Sequence, residues 1–466
     1  MSVGATPSLN FIGDTVGDVA PHAMSEMRGI RFASGNSPTT GAISLSDFRN
    51  QTLTSTVAQQ AKIQALDKQA GDIFGYSVAI SDDGNTAIAG AHYEVGLLIG
   101  EGAAYIFTRS GANWSPQAKI QASDKQGNDH FGYSVAISSD GNTAIMGAEN
   151  SSISTSFTGA AYIFTRSGTS WTQQAKIMAS DKQQNDKFGY SVSISDDGNT
   201  AIVGAFREFV DEGLSTGPGG YGFPYAGSAY IFTRSGTNWT QRAKIQASDK
   251  QIDDRFGISV AMSGDGNTAI VGADEGFDVN NGGSAYIFTR SGTSWTQQAK
   301  IMASDNQVKD DFGISVAISE NGNTAIAGAH YEDTGGTDAG AAYIFTRSGA
   351  SWTQQAKIQA SDKQGGDRFG YSVSISGDGN AAIVGAFKED TGGTDAGAAY
   401  IFTRSGTTWT QKQKIQASDK QGYDYFGQSV SISSDGNTVI AGAAAEDTGG
   451  TDAGAAYIFG NSGYYI

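Results

Sequence analysis

The dipeptide Phe-Gly recurs at Phe74, Phe131, Phe188, Phe256, Phe312, Phe369 and Phe426, at intervals of 57, 57, 68, 56, 57 and 57 residues. Sixteen residues after each of these phenylalanines stands Gly-Ala, at Gly90, Gly147, Gly204, Gly272, Gly328, Gly385 and Gly442. A tyrosine inside Ala-Tyr-Ile-Phe follows, at Tyr105, Tyr162, Tyr230, Tyr286, Tyr343, Tyr400 and Tyr457. Seven copies at so constant a period require one supersecondary unit stacked on itself, because a single such unit cannot bury its own apolar face.

The unit reads as four short strands. Phe131-Gly-Tyr-Ser-Val-Ala-Ile, Thr143-Ala-Ile-Met-Gly-Ala, Ala161-Tyr-Ile-Phe-Thr-Arg and Trp171-Thr-Gln-Gln-Ala-Lys-Ile are rich in β-branched and aromatic residues and too short for helices. Ser138-Ser-Asp-Gly-Asn and Ser167-Gly-Thr-Ser supply the turns. Four strands repeated seven times predict an all-β, seven-bladed β-propeller. Small residues on the second strand would let blades approach near the axis, with Tyr, Phe and Trp filling the wider outer gaps. Ala61-Lys62-Ile63 repeats the fourth strand before the first Phe-Gly, whereas the last copy stops after Phe459. The segment Thr52 to Ile63 is therefore expected to complete the last blade and close the ring. The domain reading is a segment of residues 1–50 followed by a propeller over 51–466.

Composition agrees. Glycine makes up 64 of 466 residues, about twice the usual ~7%, because the repeat uses it at fixed positions. There is no cysteine, which removes disulfides, thiolate metal sites and cysteine nucleophiles. The formal charge of −17 opposes binding along nucleic acid. No stretch has the length of a membrane span, and the start lacks the basic and apolar regions of a signal peptide. Neither membrane insertion nor a nucleic-acid partner is expected.

The tandem Phe-Gly and Gly-Ala motifs over residues 51 to 466 resemble the FG-GAP repeats of integrin α-subunit propellers, and more closely their bacterial and viral relatives. That resemblance implies a ligand-binding or adhesive platform. Integrin repeats often hold calcium in a D-x-D-x-D-G loop; here the same place reads Ser81-Asp-Asp-Gly-Asn85 or Ser319-Glu-Asn-Gly-Asn323, with too few acids, so calcium is not carried over. Residues 1–50 contain Ala23-Met-Ser-Glu-Met-Arg-Gly29 and Gly41-Ala-Ile-Ser-Leu-Ser-Asp-Phe-Arg-Asn50. These look like short modules of tailed-bacteriophage structural proteins, which implies virion attachment through Met24, Met27, Arg28, Leu45, Phe48 and Arg49.

All length variation falls between Gly-Ala and the tyrosine, so the loops joining strands two and three form the variable surface. The longest runs from Phe206 to Gly227; Phe206, Phe209, Tyr221, Phe223 and Tyr225 are its candidate recognition residues, large amphipathic groups suited to protein or sugar ligands. Acids recur seven and two residues before each Phe-Gly, from Asp67 and Asp72 to Asp419 and Asp424. Their repetition points to a structural task at the turn, with weak calcium binding the alternative; no cofactor is otherwise expected. Arg109, Arg166, Arg234, Arg290, Arg347 and Arg404 fall near the Asp-Gly turns and suit turn contacts. His22, His92, His130 and His330 are scattered, and no nucleophile elbow, metal-ligand spacing or phosphate loop appears.

The resulting reading is a non-enzymatic virion protein of a bacteriophage, in a tail, neck or fibre-like appendage, with the propeller as a structural or host-recognition head. Expected partners are other virion proteins, a host surface protein or glycan, and further copies of the chain. An integrin-like bacterial adhesive at the cell surface is the runner-up, and a carbohydrate-active enzyme the third class.

Overall fold

In the computed structural model, which describes residues 57–96, 98–153, 156–209, 225–274 and 282–461, each repeat becomes one antiparallel four-stranded sheet with its strands side by side. Blade two shows the plan: Phe131–Ile137, Thr143–Ala148, Ala160–Ser167 and Ser170–Ile177. No helix occurs among the described residues. First strands of neighbouring blades touch all the way round, that of blade seven against that of blade one, closing a seven-membered ring about an axis. The seventh sheet consists of Phe426–Ile432, Thr438–Ala443, Ala455–Asn461 and, beside the last of these, Val57–Ile63. The expected closure is observed from Val57 onward; Thr52 to Thr56 and the proposed attachment residues lie outside the described residues.

The two motifs meet across each blade interface. Phe131 is fully buried, its ring centroid 5.5 Å from that of Tyr162 and 6.0 Å from that of Phe164, and it shares a core with Ile88, Ala104 and Ile106 of blade one. Gly132 has φ 86°, and a Cβ there would stand 2.4 Å from the Ala103 carbonyl oxygen. A Cβ on Gly90 would stand 2.0 Å from the Gly132 carbonyl oxygen. The blades therefore pack backbone on backbone at this level, where no side chain fits. Ser77 donates to the same carbonyl at 2.8 Å.

Farther out, a register shift between Ile106 and Phe107 places a bulge in the pairing of the outer two strands. The extra residue, Gln117, accepts a hydrogen bond from Trp171 Nε1 of the next blade at 2.9 Å. Gln174, Gln298 and Gln355 accept from Trp239, Trp352 and Trp409 in the same way. The bulge thus turns an edge-strand side chain toward its neighbour, linking blades at the rim.

Candidate functional site

The blades are nearly identical, yet three positions near the axis differ from copy to copy. The residue after Phe-Gly is Tyr76, Tyr133, Tyr190, Ile258, Ile314, Tyr371 or Gln428; these side chains, with Ser315, line an axial cavity of about 170 Å³. Tyr76 donates to the Tyr133 hydroxyl at 3.0 Å, and the Tyr133 and Tyr190 rings lie 4.8 Å apart. They form a partial aromatic collar.

Beside the collar stands a crown of interblade pairs. The residue after Gly-Ala in one blade meets the residue before Phe-Gly in the next: His92 with His130 at 5.6 Å, Glu149 with Lys187 at 2.5 Å, Phe206 with Arg255 at 5.7 Å and Phe387 with Tyr425 at 5.8 Å. Asp274 faces Asp311 and His330 faces Arg368 electrostatically. All seven residues before Phe-Gly, none of them glycine, have φ between 56° and 61°. Non-glycine residues held in that region concentrate at functional sites.

Charges in the crown are buried or paired. Burial works against ionised Glu149, but the hydrogen bond from His130, then Lys187, outweighs it and holds the carboxyl below its usual range. Burial, and then His130, lowers His92 to about 3. Burial, then Arg368 and Arg255, lowers His330 to about 3. Both imidazoles are neutral at physiological pH.

At the opposite end of the first strands, the second residue of each turn, Ser-x-Asp-Gly-Asn in six blades and Ser-Glu-Asn-Gly-Asn in the fifth, rims a cavity of about 130 Å³. Backbone hydrogen bonds run around this rim, from Ser139 N to Asp196 O at 3.2 Å, Asp196 N to Gly264 O at 3.0 Å and Gly264 N to Glu320 O at 3.0 Å. Asp82, Asp196 and Glu320 each bring a carboxylate oxygen within 4.8 Å of the others. A Cβ on Gly264 would collide with Asp196 Oδ2 at 1.9 Å, so glycine leaves room for that carboxylate. These three acids are the residues that could hold a hard cation, which prefers clustered carboxylate oxygens. The neighbouring Asp83 is already used, accepting from Ser81 Oγ, Asn85 N and Asn85 Nδ2.

A sequence profile described as the FG-GAP repeat matches residues 57–107, 114–164, 171–232, 239–288, 295–345, 352–402 and 409–459. The chain belongs to the FG-GAP repeat family. A comparison with curated proteins returns no match.

Within this FG-GAP propeller the repeated acids have two structural tasks. Asp72 Oδ2 accepts from Gln69 N at 2.6 Å, a turn contact that its equivalents repeat, as at Asp367 and Asp424. The acid seven residues before Phe-Gly joins a lysine clamp: Lys119 reaches Asp67 at 2.6 Å and Glu94 at 2.5 Å, and Tyr105 donates to Asp67 at 2.9 Å. Lys244, Lys357, Lys414 and Lys62 each bridge such an aspartate to a buried glutamate: Glu208, Glu332, Glu389 and Glu446. Calcium at these acids would have to displace lysine. The FG-GAP arginines make turn contacts, as when Arg166 Nε donates to Asn142 Oδ1 at 2.8 Å. Arg347 instead donates to the Gly349 carbonyl.

The structure separates the loop residues singled out in the sequence. Phe206 is buried in the crown, against Tyr190 at 4.4 Å. Phe209 and Tyr225 pair across the loop base; Tyr221 and Phe223 lie outside the described residues. The crown and collar are not among the residues singled out in the sequence, although their signal was present: adjacent copies differ at both crown columns, and the collar column varies among Tyr, Ile and Gln, while the flanking residues stay constant.

Proposed function

We propose that this FG-GAP propeller is a non-enzymatic recognition head, whose ligand is read on the face that carries the crown and the strand-two to strand-three loops. The observation that carries the reading is the concentration of dissimilar side chains at the crown and collar of seven otherwise matching blades. A purely structural ring would need the repeated Phe, Gly and Ala alone, whereas recognition needs different groups at each sector. The pattern of residues 23–29 and 41–50 supports a place for the chain in a bacteriophage virion, attached to other virion proteins by that segment, with a host surface protein or glycan as the target.

Purified particles should contain the chain by mass spectrometry, and excess purified chain should block particle adsorption to host cells. Absence from particles would overturn the virion reading. Presence without competition would leave the chain a structural component and overturn recognition.

A further inference from the structure

The crown sector spanning blades four to six holds polar groups that the protein itself leaves unmatched. Arg255 contacts Asp274 through Nη2 at 2.8 Å, and Arg368 contacts Asp338 through Nη2 at 3.2 Å while lying 3.7 Å from the Tyr331 ring centroid. Each guanidinium is thereby oriented, yet Arg255 Nε and Arg368 Nη1 are buried without a hydrogen-bond partner. His330, only 6% exposed, leaves Nδ1 unpartnered. Both arginines act electrostatically on His330 and on Asp311, the crown residue of the intervening blade. The Asp311 carboxyl feels the charges of Asp274 and of both guanidinium groups through space.

Buried donors without acceptors are uncommon in folded proteins and mark places where a further group is expected. Arginine forks match carboxylates in geometry and charge. A carboxyl acted on by both guanidinium groups suits hydroxyl groups beside the ligand's anionic group. The ring of Tyr371, 5.4 Å from His330 and lining the axial cavity, offers apolar surface to the C–H face of a rigid ring. Burial and then Asp274 push Asp311 up to about 7 against the pull of both arginines, so near neutrality it can both donate and accept.

We propose that this sector is a subsite for an acidic sugar, with Arg255, Arg368 and His330 on the carboxylate and Asp311 on a neighbouring hydroxyl. The inference rests on the recognition reading and names its ligand class. A peptide carboxylate would satisfy the arginines but brings no adjacent pair of hydroxyls for Asp311.

The test is saturation-transfer NMR and titration of the full chain with D-glucuronate, D-glucose and N-acetylaspartate. Glucuronate is expected to bind saturably and the other two not. Arg255→Gln and Arg368→Gln should each weaken glucuronate binding at least tenfold, as should Asp311→Asn, with melting temperatures retained. Arg368→Lys, which keeps the charge and loses the fork, covers the case in which a glutamine variant fails to fold and should also weaken binding. Equal binding of N-acetylaspartate, or glucuronate binding indifferent to these variants, overturns the acidic-sugar subsite. If the chain blocks particle adsorption yet binds no glucuronate, recognition stands and the subsite falls; if it does neither, both fall.

Discussion

Lys62 and Glu446 stand 384 residues apart in the chain and 2.8 Å apart in space, with the Lys62 ammonium also 2.7 Å from Asp419. Lys414 makes the same pair of contacts inside blade six, where every strand comes from one continuous repeat. The N-terminal strand therefore docks with the side-chain chemistry of an ordinary fourth strand.

Lys62→Met should cost about 3–5 kcal/mol, because the Glu446 side chain, 1% exposed, loses its cation and remains buried. The double variant Lys62→Met, Glu446→Gln should recover part of that loss. Urea unfolding of the two proteins measures the difference; equal stability of Lys62→Met and the parent would contradict the clamp.

Deleting residues 1–64 removes the strand beside Ala455–Asn461 and leaves a sheet edge with unpaired N–H and C=O groups. Such edges recruit other chains. Light scattering should show aggregation and the melt should lose cooperativity, whereas an unchanged melting curve would reject the closure.

Gly147 and Gly168 should respond oppositely to alanine. A Cβ on Gly147 would lie 1.8 Å from the Gly189 carbonyl oxygen, so Gly147→Ala must separate two blades and should cost more than about 3 kcal/mol. Gly168 has φ 62° and nothing within 4 Å; Gly168→Ala should cost only about 1–2 kcal/mol, from backbone conformation. Thermal melts of the two variants give the comparison.

Stability should fall as pH rises toward neutrality. Burial, and then Glu320 against a Ser139 hydrogen bond, pushes Asp82 up to about 6; burial, then Asp82 and Glu320, pushes Asp196 up to about 7. Burial likewise pushes Asp310, Asp367 and Asp424 up to about 6. The folded chain keeps these protons where the unfolded chain has lost them, between about pH 4 and 7, so stability declines through that window. Clamp acids such as Asp67 shift the other way: burial opposes ionisation, but the hydrogen bond from Lys119 lowers the pKa, and their support is lost only below about pH 4. The melting temperature should peak near pH 4–5. Asp196→Asn should stabilise by about 1–2 kcal/mol at pH 8 and little at pH 4, a modest figure because the group is partly solvated. Calorimetry showing a melting temperature that rises from pH 5 to 8 would contradict this.

Strand order, blade number and ring closure were legible because Phe74, Gly90 and Tyr105 recur with their partners at fixed intervals, and each interval is set by local strand and turn lengths. The structural task of the repeated acids was legible in outline. The lysine clamp was not, because Lys119 and Glu94 lie 25 residues apart and Lys62 and Asp419 lie 357 apart. The axial acids were hidden for the same reason. Asp82, Asp196 and Glu320 come from alternate blades and meet only where seven turns converge.

By itself, then, the sequence determined the unit, its sevenfold count and the strand that closes the ring, since these follow from short-range β pattern and repetition. Only the tertiary structure decided which face of each residue reaches the axis. Circular packing sets Arg255, Asp311 and Arg368 from three successive blades around His330, and it holds Phe206 inside the crown rather than on the long loop's surface. Convergence on a common axis is a property of the closed ring, and no single repeat contains it.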